Sequence, residues 1–310
     1  MKKIRIGTRG SRLALVQSEQ VRDHLRGKHP DIEIEIIPIK TTGDKILDAP
    51  LSKIGDKGLF TKEIEKELLS GTIDMAVHSM KDMPTELPDG LTIGAVTKRL
   101  DPGDVFISRN GRRLRDLKMG DTIATSSLRR RAQVLAHIPG LRVVDIRGNV
   151  QSRLKKMQAD PSIQGIILAR AGLERLGILD IATETVSEQI LLPAVGQASL
   201  AIEIRADDQA VQSIVDSLND RDSNVAISCE RSFLATLGGG CQVPIAGRAR
   251  VSDGSVTLEG MVASLDGTRL YRSNASGPVS NSSVIAEGLA RRLLDDGARE
   301  ILEQIYGRTL

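Results

Sequence analysis

Apolar and polar positions along the chain follow two periods, one near 2 and one near 3.6. Lys3–Gly7 reads as a short strand, and the spacing of Leu13, Val16, Val21 and Leu25 predicts a helix after it. Ile32–Ile39 alternates over part of its length and reads as a second strand. Gly58 precedes a helix that carries Phe60, Ile64 and Leu68 on one face. Asp74–His78 is a short apolar strand that runs straight into Ser79-Met80-Lys81-Asp82-Met83-Pro84, where Pro84 and Pro88 stop a regular helix from following at once. Asp82 is therefore expected on a loop at a strand's carboxyl end, the edge where open α/β sheets gather ligands.

The middle of the chain repeats one unit of apolar strand, small polar turn and basic helix. Asp121–Ala124 leads into Thr125–Arg131, Leu141–Ile146 into Arg147-Gly148-Asn149 with a helix from about Val150, and Gly165–Ala169 into Arg170–Leu173. Strands alternating with helices predict βαβ units and a mainly parallel sheet. The last part changes character. Thr257–Ser264 and Thr268–Arg272 read as antiparallel strands around the turn Leu265-Asp266-Gly267, and Val284–Tyr306 as one final amphipathic helix. With 310 residues the chain exceeds what one core usually supports, so two or three domains are expected, with boundaries near Asp101-Pro102-Gly103 and Asp220–Asp222.

Composition narrows the function classes. Neither a secretory signal nor a membrane-spanning run is legible, which predicts a cytoplasmic protein whose two cysteines stay reduced. No second Cys or His stands at ligand spacing, so no metal is expected. The net charge of +3 hides an uneven distribution. Residues 98–175 hold 17 basic and 7 acidic side chains, against 15 and 15 before them and 11 and 18 after. A cationic block between neutral and acidic flanks points to a polyanionic ligand. Nucleic acid is disfavoured as that ligand, because the chain has no Trp, two Tyr and three Phe on which bases could stack.

Three features could carry chemistry. Cys241 follows three glycines in Gly238-Gly239-Gly240, a spacing that fits a tightly turned, exposed loop and a functional thiol about as well as an inert buried one. Cys229 lies in a helical pattern and reads as core. Of the four histidines none is near Cys241 in sequence, and His78 ends an apolar strand as a packed residue would. A thiol without a base is better suited to attachment than to turnover. Ser126 and Ser127 precede a helix whose first turn carries Arg129 and Arg130; Arg147, before Gly148-Asn149 and Arg153, repeats the device, and Arg9 with Ser11 supplies a third copy. Helix amino ends, hydroxyls and guanidinium forks together suit carboxylates and phosphates alike; one such arginine alone reads more readily as a solvated surface residue, and it is the three copies together that point to a ligand cleft. Asp82, beside Lys81, reads either as a turn residue or as an acid–base group.

Six segments in order resemble porphobilinogen deaminases: Lys57-Gly58-Leu59-Phe60, Asp74–Asp82, Thr125–Arg130, Ile146–Asn149, Leu192–Gln197 and Gly239–Pro244. The likeness runs from Ile6 to Leu302, with Arg12 in place of an expected proline and Ala198-Ser199 in place of Gly-Ala. It implies three domains: two of α/β type resembling type II periplasmic binding proteins with a cleft between them, residues 1–98 with 199–216 and residues 103–193, and a smaller α+β domain over 221–310. It implies a transferase that joins four porphobilinogen molecules head to tail with loss of ammonia, giving hydroxymethylbilane for haem biosynthesis. It further implies a dipyrromethane cofactor on Cys241 through a thioether, Asp82 as the catalytic carboxylate, and Arg9, Ser11, Lys57, Lys81, Ser127, Arg129, Arg130, Arg147, Arg153 and Gln197 around cofactor and substrate. Gly43, Gly55 and Gly58 suggest a mobile 43–57 loop. The expected partner is porphobilinogen, with no nucleic acid or membrane, and the expected state is a monomer. A non-catalytic binder of an organic anion is the rival; it has no need of the thiol-bearing glycine loop.

Overall fold

The computed structural model of the chain describes residues 3–45, 58–239, 243–307 and 309. The first elements are β1 (Lys3–Arg9), α1 (Arg12–Lys28), β2 (Glu33–Ile39), α2 (Lys62–Leu69), β3 (Met75–Ser79) and β4 (Leu91–Val96). There follow β5 (Asp104–Ser108), β6 (Thr122–Ala124), α3 (Leu128–His137), β7 (Arg142–Val144), α4 (Val150–Ala159), β8 (Ile163–Ala169), α5 (Arg170–Arg175) and β9 (Glu184–Val186). The chain ends with β10 (Leu200–Arg205), α6 (Gln209–Val215), α7 (Arg221–Thr236), β11 (Ile245–Ser252), β12 (Ser255–Ala263), β13 (Leu270–Pro278), α8 (Ser282–Leu293) and α9 (Arg299–Tyr306). Two units result, Met1–Leu100 with Ala198–Asn224, and Asp101–Gln197 with Val225–Leu310.

The first unit is built on a five-stranded sheet of order β2-β1-β3-β10-β4. Ile4 and Ile6 of β1 alternate inward, Val21 and Leu25 come from α1 at helical spacing, and Met75, Ile202 and Ile204 complete one buried core. The second unit carries a sheet of order β7-β6-β8-β5-β9 and a separate antiparallel sheet β11-β12-β13. Both five-stranded sheets are mainly parallel, as the repeating pattern predicts, with one reversed strand in each: β1 and β6 pair parallel with both neighbours, whereas β10 runs antiparallel to β3 and β4, and β5 antiparallel to β8 and β9. The physical reason is the route of the chain. β5 and β10 each arrive from the other unit, so neither is returned by a helical crossover that would hold it parallel.

Two expectations fail in the last part. β11 is a third strand hidden by the short glycine-containing segment that opens it, and it pairs with β12 from Ile245 to Ser252. The final helix is interrupted. Gly297 at φ +122° breaks Leu294–Ala298 into a wide turn between α8 and α9, and a side chain there would meet Tyr271 Oη at 2.5 Å. The β12–β13 turn has a job in packing: Gly267, at φ +72°, lies against the backbone of α3, where a Cβ would stand 2.5 Å from Ala136 N and 2.6 Å from Ala132 O.

Candidate functional site

In the first unit β1 and β3 run side by side and parallel, so their carboxyl ends lie together. Beyond β1, Arg9 is followed by Ser11, whose Oγ accepts from Ala14 N at 3.3 Å and starts α1. Beyond β3, Met80–Asp82 forms a single 3₁₀ turn, not an open loop. Arg9, Ser11, Gln17, Phe60, His78, Ser79 and Asp82 are among the residues around a cavity of about 80 Å³ at this edge. Asp82 is half-buried there, and so is Lys81 beside it.

The cavity wall is held by polar contacts. Gln17 Nε2 donates to Ser79 Oγ at 3.1 Å. His78 is buried and bonds through Nε2 to Glu203 Oε2 at 3.0 Å, so it is the packed residue its strand pattern suggests. Glu65 is buried close by, and burial pushes its carboxyl up. Arg9 lies over the Phe60 ring, 4.0 Å from its centre, and bonds to both oxygens of Asp44. Burial works to raise the Asp44 carboxyl, but Arg9 and Thr41 overcome it and leave it below the usual range.

In the second unit the predicted helix starts are real. Ser127 caps α3, accepting from Arg130 N at 3.4 Å, and Asn149 caps α4, accepting from Ser152 N at 2.9 Å. Ser126 instead ties the two strand ends together, donating to Ile146 O and accepting from Ile146 N, both at 3.0 Å. Arg153 Nε donates to Gly148 O at 2.7 Å. Arg147 is half-buried, and its Nη1 is sealed from solvent without a hydrogen-bond partner among the described residues.

Arg129 and Arg130 are not solvated helix residues. Both are buried, and they converge on Asp104, a residue that the sequence patterns do not single out. Arg129 Nη2 donates to Asp104 Oδ2 and Arg130 Nη2 to Asp104 Oδ1, each at 2.8 Å. Gln197, also buried, donates to Asp104 Oδ1 at 2.9 Å and to Pro102 O at 2.6 Å. Burial alone would raise the Asp104 carboxyl; the two guanidiniums overcome it and hold it far below the usual carboxylate range. The signal for Asp104 was a single acid opening the apolar run Val105-Phe106-Ile107, just after a proline and glycine that mark a boundary. Arg175 was also missed; burial pulls its guanidinium down to about 10.

Cys229 is buried in α7, as its helical pattern predicts; its thiol donates to Ser282 O at 3.3 Å, and burial pushes it up to about 12. Cys241, Lys57 and most of the 43–57 segment lie outside the described residues. No helix among the described residues is long and apolar enough to cross a membrane.

Residues 4–213 match the family model described as porphobilinogen deaminase, dipyromethane cofactor binding domain, and residues 225–295 match porphobilinogen deaminase, C-terminal domain. Among curated proteins the chain is 49% identical over 303 residues to a porphobilinogen deaminase of Syntrophobacter fumaroxidans, covering 98% of each. It is 51% identical over 300 residues to that of Desulforudis audaxviator, covering 97% of each. With that of Geobacter sulfurreducens it shares 49% over 308 residues, 99% of this chain and 96% of the relative. Among solved structures, the methionine-binding protein MetQ is similar at a TM-score of 0.42 and 12% identity, over 74% of this chain and 94% of that one.

Proposed function

This chain belongs to the porphobilinogen deaminase family, and from that membership we infer which of its residues carry the reaction. The enzyme is a transferase that condenses four porphobilinogen molecules head to tail, with loss of ammonia, into hydroxymethylbilane, and it works with a dipyrromethane cofactor. In our reading Cys241 holds that cofactor through a thioether and Asp82 is the catalytic carboxylate. The observation that carries the assignment is the place of Asp82: at the carboxyl end of β3, beside a small polar cavity that Arg9 and Ser11 also line.

The residues present suit a group rich in carboxylates. Arg130 Nε and Arg147 Nη1 are buried donors with no partner among the described residues, and Asp104 offers one carboxylate to two buried guanidiniums. Both features call for anions. When bound, the dipyrromethane supplies the nucleophilic pyrrole carbon on which the chain grows. As ammonia leaves the substrate, positive charge develops on its pyrrole ring, and the fixed Asp82 carboxylate stabilises that charge. After the carbon–carbon bond forms, Asp82 accepts the proton lost from the α-carbon. Arg9, Ser11, Lys57, Lys81, Ser127, Arg129, Arg130, Arg147, Arg153 and Gln197 bind or orient acetate and propionate groups in this reading. In this reading the enzyme acts as a monomer in the cytoplasm.

Intact mass and turnover test the assignment together. The purified chain should exceed its sequence mass by one dipyrromethane, and Cys241→Ala should abolish the excess. Asp82→Asn should keep the excess mass while turnover drops by roughly 10² or more. Near-normal turnover in Asp82→Asn would remove Asp82 from the mechanism, and a fully active chain of unmodified mass would remove the tether.

A further inference from the structure

The arginine pair of α3 leaves a charge problem inside the second unit. The side chains of Arg129, Arg130 and Asp104 are 5%, 6% and 0% exposed. One carboxylate therefore faces two guanidiniums, and the buried group keeps one positive charge in surplus. Both arginines are fixed at their other ends as well. Arg129 Nη1 donates to Leu192 O at 2.7 Å, and Arg130 Nη1 to Ile167 O at 3.0 Å. Gln197 Nε2 closes the cluster from a third direction.

Such an arrangement is a poor way to gain stability. Desolvating three charged groups is costly, and an apolar replacement of similar volume commonly does as well or better. Leaving the cluster one negative charge short makes it worse, unless an anion from outside completes it. The geometry does secure one thing: it removes the rotational freedom of two long side chains and fixes where their remaining N–H groups point. Arg130 Nε is one of those groups, buried and without a partner among the described residues.

We propose that Asp104 is a positioning residue: it clamps Arg129, Arg130 and Gln197 so that the surplus positive charge of the cluster is offered to the carboxylates of the cofactor and the growing chain. The inference rests on reading the two arginines as carboxylate-binding. Asp104 itself touches neither cofactor nor substrate. Its place supports the role, since it opens β5 and is paired in register with Ala169 of β8 and Val186 of β9. The clamp is thus anchored to the middle of a sheet rather than to a loop.

Asp104→Asn keeps the shape but can accept from only one arginine through Oδ1, while its amide faces the other as a second donor. The measurements are the fraction of folded chain that carries dipyrromethane, read by intact mass, and the KM for porphobilinogen of whatever is loaded; folding is followed by far-ultraviolet circular dichroism. The expected result is a folded chain whose loaded fraction is at least tenfold lower. Asp104→Glu keeps the charge and shifts it by one methylene, so it should load in part and show a KM raised more than kcat is lowered. Folded Asp104→Asn with wild-type loading and KM would overturn the proposal, as would tighter binding, which would mean that only charge matters. Should Asp104→Asn fail to fold, wild-type loading and KM in Asp104→Glu would overturn it instead. Should neither variant fold, Asp104 would be a folding residue and the proposal would fall. Arg129→Leu and Arg130→Leu separate this from the underlying reading: if they load normally, the arginines do not bind carboxylates at all; if they do not load while Asp104→Asn does, only the clamp is wrong.

Discussion

Glu230 offers a sharp test of what holds the segment before Gln197. It is completely buried, and its two oxygens each serve one backbone donor: Gly196 N at 2.8 Å and Ala249 N at 2.7 Å. One side chain of α7 thereby joins the Pro193–Gln197 stretch to β11. Glu230→Ala strips both amides of this partner in a place water does not reach. An unsatisfied buried donor costs about 1–3 kcal/mol, so two put the expected loss at about 2–6 kcal/mol. The helix itself hardly changes, because Glu and Ala are both good helix formers. Glu230→Gln retains one acceptor and turns a donor toward the other amide, so its loss should fall near half of that. Urea unfolding followed by far-ultraviolet circular dichroism is the right assay, since a chain with no Trp and two Tyr gives little fluorescence signal. The three groups all belong to the second unit, so its transition midpoint should move while the slope stays constant. A loss below about 1 kcal/mol for the alanine variant would refute the reasoning, since a single unmet donor already costs that much.

Two further outcomes are expected. Gly267→Ala should destabilise the second unit by about 2 kcal/mol or more, because a Cβ there adds a strained positive φ to an overlap with the α3 backbone; an unchanged melting temperature would contradict the close approach. Asp44 has a carboxyl held below its unfolded value, so its contribution to stability is present above the unfolded pKa of about 3.9 and is lost as pH falls through the folded one. Acid titration of stability in Asp44→Asn should therefore show a shallower fall below about pH 4 than in the parent chain, and an identical acid limb would separate Asp44 from Arg9.

Periodicity made most of the α/β elements legible, since β1, α1, β3, β8 and the capped helices α3 and α4 depend on local alternation and on Ser127 and Asn149 at their starts. The reversal of β5 and β10 was not legible, because it is decided by where the chain comes from and not by the residues of the strand. The same holds for the site. Arg9, Ser11 and Asp82 could be named because each sits a few residues past an apolar run. Asp104, Asp44 and Glu203 could not, since a lone acid acquires meaning only from a partner 25, 35 or 125 residues away. One departure noted in the sequence has a clear structural correlate: Ala198, where glycine was expected, takes φ +83°, a conformation that an L side chain enters only with strain.

The position of β10 bears on how the protein is made. It lies between β3 and β4 in the first sheet, yet residues 80–199 separate the end of β3 from its first residue. On the ribosome β3 and β4 must wait, each with an unpaired side, while the whole β5–β9 sheet is synthesised before β10 emerges. Exposed strand edges of this kind recruit other chains. Early pairing across so long a gap is also slow, because loop closure must precede the contacts that reward it. Truncation before Leu200 should therefore release an aggregation-prone fragment, whereas one ending after Asn224 contains every strand the first sheet needs.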